Sequence, residues 1–570
     1  MSPDRSALDE EPKLVSLVIA ITGHMDIPEV DYPALQAQIE GIFEKLATDY
    51  PHTPLILLSG FAKGADRIAV AAALKVQAEK KANLKAIAVL PMKASDCAWQ
   101  FPDTASEENF NNLLKASQPA IELPTVPAEE QTARYVRLGE FLVDQSQILI
   151  ALWDKKRPGT EDGLKHDGGT ADVVAMKLGE ARRREGTDLE LSSGVGPVYE
   201  ILVRRDKDSP MPIGAKFVPA YPAGMEHDDY DASYKLLDRF NTDLLEYRDK
   251  LYGAAQESYA GLCEGVEPVG LSKAMTWAAS VYAWADVLAI RFARRSLWYW
   301  HAAFVWLALA GVALTLLHSG SGNFQTFAGY WALMGLAFGT AYWAGRGNRR
   351  DRHEDYRALA EALRVQFFWM VAGLQDVASQ HYLRKHVGDM GWIRDAMSEC
   401  GLYDGAVRRG GLRGGDAASR LGLTRTWVEG QARYFLKTSR RHDRRRVVFK
   451  WLAMAAVAAG GALVPAAGLY FMPKREEWHV VSGILMWWAG LAYTYSEFRG
   501  FEQEARQYER MYDLFDFRND EIAKLEKEGA KSFGAAEKAI RDLGIEALRE
   551  NGDWLAMHRE RKQMSGLGWG

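Results

Sequence analysis

The sequence predicts an α/β doubly wound parallel sheet of Rossmann-like type, followed by an all-α membrane domain with four transmembrane helices and cytoplasmic helices. Two observations carry this. Within residues 14–205, five short apolar runs, LVSLVIAITG, PLILLSG, LKAIAVLP, QILIALWD and PVYEILVRR, alternate with helix-like segments. Runs rich in β-branched residues and lacking polar alternation imply strands buried on both faces, and the helices between them imply parallel crossovers. Later come apolar stretches at 297–317, 326–343, 447–471 and 480–496, the first two without Asp, Glu, Lys or Arg. Each is near the roughly 20 residues with which a helix crosses hydrocarbon. Trp298, Tyr299, Trp300, Tyr342, Trp343, Trp451, Tyr470, Trp478, Tyr493 and Tyr495 crowd their ends, as interfacial belts do.

A length of 570 residues leaves room for several domains, and the pattern divides them at 1–225, 226–296, 297–395, 396–530 and a polar tail at 531–570. A net charge of −5 argues against a dedicated nucleic-acid binder, which needs a basic surface to neutralise phosphates. The 3 cysteines, Cys97, Cys263 and Cys400, lack metal-ligand spacing, so no metal is expected and a reducing compartment suits them. The start, MSPDRSALDEEPKLVS, has no apolar signal-type core, so the first domain is expected in the cytosol.

In a doubly wound sheet, ligands bind beyond the C-terminal strand ends, so the residues after each run are where function is sought. After the first run stand Thr22, Gly23 and His24; after the second, Ser59, Gly60, Lys63, Gly64 and Asp66; after the fourth, Asp154 and then DGGTAD with Gly168, Gly169, Thr170 and Asp172. Glycines let backbone approach a ligand closely, and a helix starting at Thr170 would aim free N–H groups at an anion. The pattern fits a phosphate-bearing small molecule; tight strand-to-helix turns are the alternative use of the glycines. His24 is either a proton carrier or a hydrogen-bonded structural residue. Trp99 and Phe101 either stack on a base or pack internally, and Lys155, Lys156 and Arg157 either meet phosphates or are solvated.

The succession ITGHMD, LLSGFAKGADRIAVAAAL, AVLP with DCAWQFPD, VDQSQILIALWDKK and HDGGTADVV resembles the SLOG superfamily, the Rossmann-like group related to the LOG and DprA proteins. The resemblance implies sensing or processing of a nucleotide-derived ligand, with Ser59, Gly60, Gly64, Asp66, Gly168, Gly169 and Thr170 lining its site, and implies no further cofactor. The phosphoribohydrolase branch follows its Gly-Gly-Thr turn with a catalytic Glu, where this chain reads Ala171, Asp172, Val173, Val174. Binding is therefore expected rather than hydrolysis; were the domain a hydrolase, Asp172, Asp66 and His24 are the candidate catalysts.

A Pro- and Gly-containing boundary, VPAYPAGMEHDDYDA, precedes helical connector segments, and the one carrying Ala283, Asp286, Leu288 and Ala289 is expected to run straight into the first span. Basic residues flank the spans at Arg294 and Arg295, at 346–352 and at 440–450, whereas the intervening loops carry few; both termini are thus expected in the cytoplasm. The run RRHDRRR reads as an anchor to anionic headgroups. Amphipathic helices follow each hairpin, so the two-span unit reads as duplicated. Gly335, Gly339, Gly483 and Gly490 are small contacts suited to helix packing, within one bundle or between copies of a homo-oligomer. Pro465 marks a hinge or a tolerated kink in the third span.

The helix, two spans and EDYRALAEALR over residues 275–395 resemble the SLATT domains, two-span modules associated with SLOG domains. That resemblance implies a multi-pass protein of the bacterial inner membrane, a pore-forming or membrane-perturbing effector of antiviral defence whose partners are a nucleotide-derived small molecule, the lipid bilayer and further copies of itself. The alternatives are a membrane-anchored nucleotide hydrolase and a non-catalytic scaffold.

Overall fold

The computed structural model describes residues 8, 11–96, 104–116, 120–124, 131–156, 169–180, 194–207, 219–266, 270–318, 323–346, 349–382, 390–403, 417–468, 475–528 and 532–564. Gly168, Trp99, Phe101, Cys97, Arg157 and Tyr470 lie outside them. The N-terminal portion is an α/β domain with a seven-stranded sheet, and the rest is mostly helical. By packing, the chain divides into two compact units: Met1–Val287 with Ala358–Asp416 and Gly544–Asp553, and Leu288–Arg357 with Ala417–Leu543 and Trp554–Gly570.

In the first unit the elements run β1 (Leu17–Gly23), α1 (Tyr32–Asp49), β2 (Leu55–Ser59), α2 (Ala65–Ala78), β3 (Leu84–Leu90), α3 (Thr104–Ala116), β4 (Ile121–Glu122), α4 (Gln131–Gln145), β5 (Ile148–Trp153), α5 (Thr170–Lys177), β6 (Val198–Leu202) and β7 (Pro219–Ala220). The sheet order is β4-β3-β2-β1-β5-β6-β7. The five predicted strands are β1, β2, β3, β5 and β6, all parallel to their neighbours in that set. Two strands were not legible: β4 and β7 have two residues each, too short for an apolar run, and β7 pairs antiparallel to β6.

Successive strand residues point to opposite faces. Leu17, Ile19 and Ile21 of β1 enter one core with Ile39, Phe43 and Ile68 from α1 and α2. Val18 and Ala20 enter a second core with Leu142, Val143, Val173 and Val174 from α4 and α5. Both faces are covered, which is why the strands read as unbroken apolar runs.

The N-terminal edge of this sheet is closed by the chain's own polar groups. Helices α6 (His227–Leu262), α7 (Lys273–His318), α8 (Phe324–Gly345), α9 (Arg349–Ala372) and α10 (Gly391–Ser398) follow β7. The turn after α10 buries Glu399, which accepts the Ser16 N–H at 2.6 Å, the Ser16 hydroxyl at 3.0 Å and the Tyr403 hydroxyl at 2.7 Å. On α6, Asn241 exchanges hydrogen bonds with both Val15 backbone groups, at 3.0 and 2.8 Å. Gln147 accepts the Val18 N–H at 2.7 Å and donates to Ser398 at 3.1 Å. Buried Lys177 of α5 donates to the Ser146 carbonyl at 2.5 Å.

α7 is one unbroken helix of 46 residues, as the connector pattern predicts, and it passes from the first unit into the second. The second unit continues with α11 (Ala417–Gly468), α12 (Arg475–Arg499) and α13 (Phe501–Glu528), and α14 (Phe533–Met564) supplies residues to both units. α7 packs on α12 through Trp300 against Phe498, with ring centroids 4.5 Å apart, and through Trp487 Nε1 donating to the Leu307 carbonyl at 3.0 Å. α11 meets α12 where Ser482 donates to the Gly460 carbonyl at 2.7 Å, and it packs along α13 with Trp427 and Phe435 against Phe515. Pro465 falls in the last turns of α11 without ending the helix.

Among the described residues two helices, Lys273–His318 and the Ala417–Pro465 part of α11, are long and apolar enough to cross a membrane. The other two predicted spans fold as helices, α8 and α12, but Gly, Ser, Thr, Tyr and Trp dilute their apolar runs. All four expose large apolar side chains: Phe324 is 82% exposed and Trp451 63%, and Trp298, Trp331, Phe338, Leu452 and Tyr493 are also exposed.

Candidate functional site

The sheet order reverses between β1 and β5, so the crevice beyond their C-terminal ends is the topological switch point at which ligands bind in this class of fold. Gly23 lies opposite Leu152 in the parallel register, and a Cβ there would overlap Ala65 of α2 and lie 2.6 Å from the Leu152 carbonyl. Glycine thus lets the start of α2 close onto the β1–β5 edge. Gly64, the N-cap of α2, has φ of 84°, and its Cβ would overlap the His24 carbonyl. Here both the left-handed backbone and the close approach demand glycine.

His24 joins the three loops. Its N–H donates to the Leu152 carbonyl at 3.0 Å, and its own carbonyl accepts the Ala65 N–H at 3.1 Å. Its Nε2 lies 3.1 Å from Asp154 Oδ1 and 3.2 Å from the Asp154 backbone nitrogen. These two contacts make opposite demands. A neutral Nε2 accepts the Asp154 N–H, whereas a protonated Nε2 donates to the Asp154 carboxylate. Asp154 is buried, and burial opposes its charge, but the Lys156 N–H and His24 outweigh burial and hold the carboxyl below the usual carboxylate range.

The first turn of α2 carries a second carboxylate. Asp66 Oδ2 accepts the Ala62 N–H at 3.1 Å and would sit 3.1 Å from a Cβ on Gly60. The residue keeps some solvent contact, yet its carboxyl is packed among protein atoms, and burial pushes it up to about 7 against the Ala62 N–H and Arg67. Ser59 is fully buried, its hydroxyl accepting the Phe61 N–H at 3.1 Å, so it shapes the turn rather than facing the crevice. Lys63 is exposed on the β2–α2 loop.

Gly169 caps α5, and Thr170 is its first residue; Gly169 is exposed, Thr170 half-buried and Asp172 buried. α5 packs on β1 and β5, the two strands that carry His24 and Asp154. The structure therefore brings His24, Asp154, Gly23 and Gly64 into direct contact, joins Gly60 of the neighbouring loop to Asp66, and sets Gly169, Thr170 and Asp172 on a helix against the same two strands.

Some features of this edge had no sequence signal. Phe61 and Lys155, in the loops after β2 and β5, have φ of 56° and 57°, a left-handed conformation that favours glycine. Such strain concentrates at functional edges. Lys155 pairs with Glu200 at 2.8 Å, and Arg204, beyond β6, clasps Asp31 with two bonds of 2.8 and 2.9 Å. Neither pairing follows a sequence spacing.

Of the glycines expected to pack the apolar helices, a Cβ on Gly483 would lie 2.9 Å from Thr315, whereas Gly335, Gly339 and Gly490 meet no described atom within 4 Å. Gly311, which the sequence reading passed over, seats the Trp487 ring. Among the described residues no group of three or more His, Cys, Asp or Glu side chains is placed to hold a metal ion.

The site and sheet define a Rossmann-like α/β class with its crevice at the β1–β5 switch. No protein-family model matches the chain, and no curated protein matches it in sequence.

Proposed function

We propose that the protein is a membrane effector whose α/β unit senses a nucleotide-derived ligand and whose apolar helices α7, α8, α11 and α12 cross a bilayer, with both termini in the cytoplasm. The observation that carries the reading is the crevice beyond β1 and β5, where the His24–Asp154 pair and glycine-built turns meet. Gly169 and Thr170 at the start of α5 would face the phosphate, and Asp66 would accept a ribose hydroxyl. The exposed tryptophans and phenylalanines of the helices support burial in hydrocarbon, since water does not tolerate so large an apolar surface. In this reading the domains resembling SLOG and SLATT modules act as sensor and output, in bacterial defence, and copies of the chain assemble.

Ligand binding shifts the membrane helices toward a permeable state to the extent that the two states bind ligand unequally. α7, shared by both units, is the covalent path for that shift. The test is a thermal-shift series on the full-length chain in detergent with nucleoside monophosphates, NAD and cyclic nucleotides. At least one class is expected to raise the melting temperature in wild type and not in Asp154→Asn; no shift with any of them removes the sensor reading.

A second reading, hydrolysis of a glycosidic bond, is favoured by Asp66, whose carboxyl is pushed to about 7 and so exchanges a proton near neutrality. Turnover of the same compounds by wild type, lost in Asp66→Asn, would establish it over binding alone.

A further inference from the structure

The arginine run 440–446 lies on α11 just before the apolar stretch of that helix, and it is the densest cluster of positive charge on it. Several arginines of this unit pair with carboxylates: Arg425 with Glu526 at 2.6 Å, Arg506 with Glu502 at 2.5 Å and Arg518 with Glu521 at 2.6 Å. On α11, Arg440, Arg441, Arg444 and Arg445 are exposed and make no ion pair among the described residues. They stand as two like-charged pairs four residues apart, an arrangement that weakens a helix. Within the run, Arg446 alone is neutralised, by Asp443 at 2.7 Å and Glu502 at 3.8 Å. Among the described residues no carboxylate pairs with the other four, which face solvent. The next turns of the same helix expose Val447, Val448, Trp451 and Leu452. Guanidinium groups therefore sit one turn from an apolar, tryptophan-bearing surface, the spacing at which a headgroup phosphate lies above acyl chains.

We propose that this face of α11 selects anionic phospholipids, with Arg440, Arg441, Arg444 and Arg445 donating to their headgroup phosphates. The proposal rests on the membrane reading above and adds a lipid class to it. A nucleic acid would satisfy the charges but leave Val447, Val448, Trp451 and Leu452 facing water.

The full-length chain is reconstituted in bilayer discs of phosphatidylcholine with a minor fraction of phosphatidylglycerol, and the lipids it retains on return to detergent are measured by native mass spectrometry. Phosphatidylglycerol is expected to be enriched over its bulk fraction. In R440Q/R441Q/R444Q/R445Q the enrichment falls by roughly fivefold for each arginine removed, up to its full extent, while membrane integration persists. The matching Arg→Lys variant, which keeps the charge, retains most of the preference and guards against loss through misfolding. Added salt reduces it. Equal retention of both lipids by wild type, or a Gln variant as selective as wild type, overturns the proposal and leaves the membrane reading standing. Arginine-dependent binding of duplex DNA without lipid preference overturns it in favour of nucleic acid. A chain that enters no bilayer removes both the proposal and the reading it rests on.

Discussion

Tryptophan is treated in opposite ways by the first unit and by the apolar faces of the second, whose Trp427 is buried against Phe515. In the first, Trp277, Trp284, Trp369 and Trp392 are fully buried, at 2% exposure or less. In the second, Trp298, Trp331, Trp451 and Trp488 are exposed, from 47 to 64%. One amino acid, large and apolar with a single polar N–H, is hidden where the surface meets water and displayed where we read the surface as meeting lipid. In the membrane reading proposed above, each set of tryptophans follows the hydrophobic effect against its own solvent, so exposure that would signal aggregation in water is expected against lipid.

The sharpest way to break this comparison is to truncate one tryptophan of each kind. Trp284→Ala removes a side chain with 0% exposure and is expected to cost about 3–5 kcal/mol. Trp451→Ala, at 63% exposure, is expected to change stability in detergent by less than about 0.5 kcal/mol. Chemical unfolding of both variants checks this; equal losses would mean that Trp451 packs inside the protein.

A comparable effect sharpens the buried side. Burial pushes the Glu399 carboxyl up to about 7, although Ser16 and Tyr403 both donate to it. The folded chain thus holds this proton over a range in which the unfolded chain, at about 4.3, has released it. Stability contributed by the protonated group is present below the unfolded value and is lost as pH rises toward 7. The loss is on the order of 4 kcal/mol for a fully buried group. Glu399→Gln is expected to flatten the fall in melting temperature between about pH 5 and about pH 8; an unchanged slope would assign the fall to other groups.

At the opposite edge of the sheet, Gly64→Ala is expected to cost about 1–3 kcal/mol, because φ there is 84° and the new Cβ meets the His24 carbonyl. Asp154→Asn leaves the shape but removes the charge facing His24, and is expected to weaken the proposed nucleotide binding by roughly ten- to hundredfold. Isothermal titration with the compound found by thermal shift reads it. The smallest effect belongs to Gly339→Ala, which meets no described atom and should alter stability by less than about 0.5 kcal/mol.

Much of the α/β sheet was legible because its five longer strands bury both faces and leave unbroken apolar runs. β4 and β7 were not, since two residues carry no pattern. At the crevice, Gly23 and Gly64 announced themselves, because only glycine fits those positions. Phe61 and Lys155 did not, being residues that rarely take a left-handed backbone. The closed edge was illegible for another reason: Ser16 and Glu399 lie 383 residues apart, and no local pattern links them. Ser59 shows the reverse error, a polar residue beside a glycine turn that points into the fold. For the apolar helices, composition marked where four lie, while the neighbour that fills each glycine notch, Trp487 over Gly311 or Thr315 by Gly483, is a property of packing alone.

The most direct test joins the two regions in one measurement. The full-length chain is reconstituted in dye-loaded vesicles, and the nucleotide that gives the thermal shift is added. Release of dye is expected to depend on the nucleotide and to be lost in Asp154→Asn. Saturating nucleotide binding to the reconstituted protein, with neither dye release nor ionic current, would contradict the proposed function.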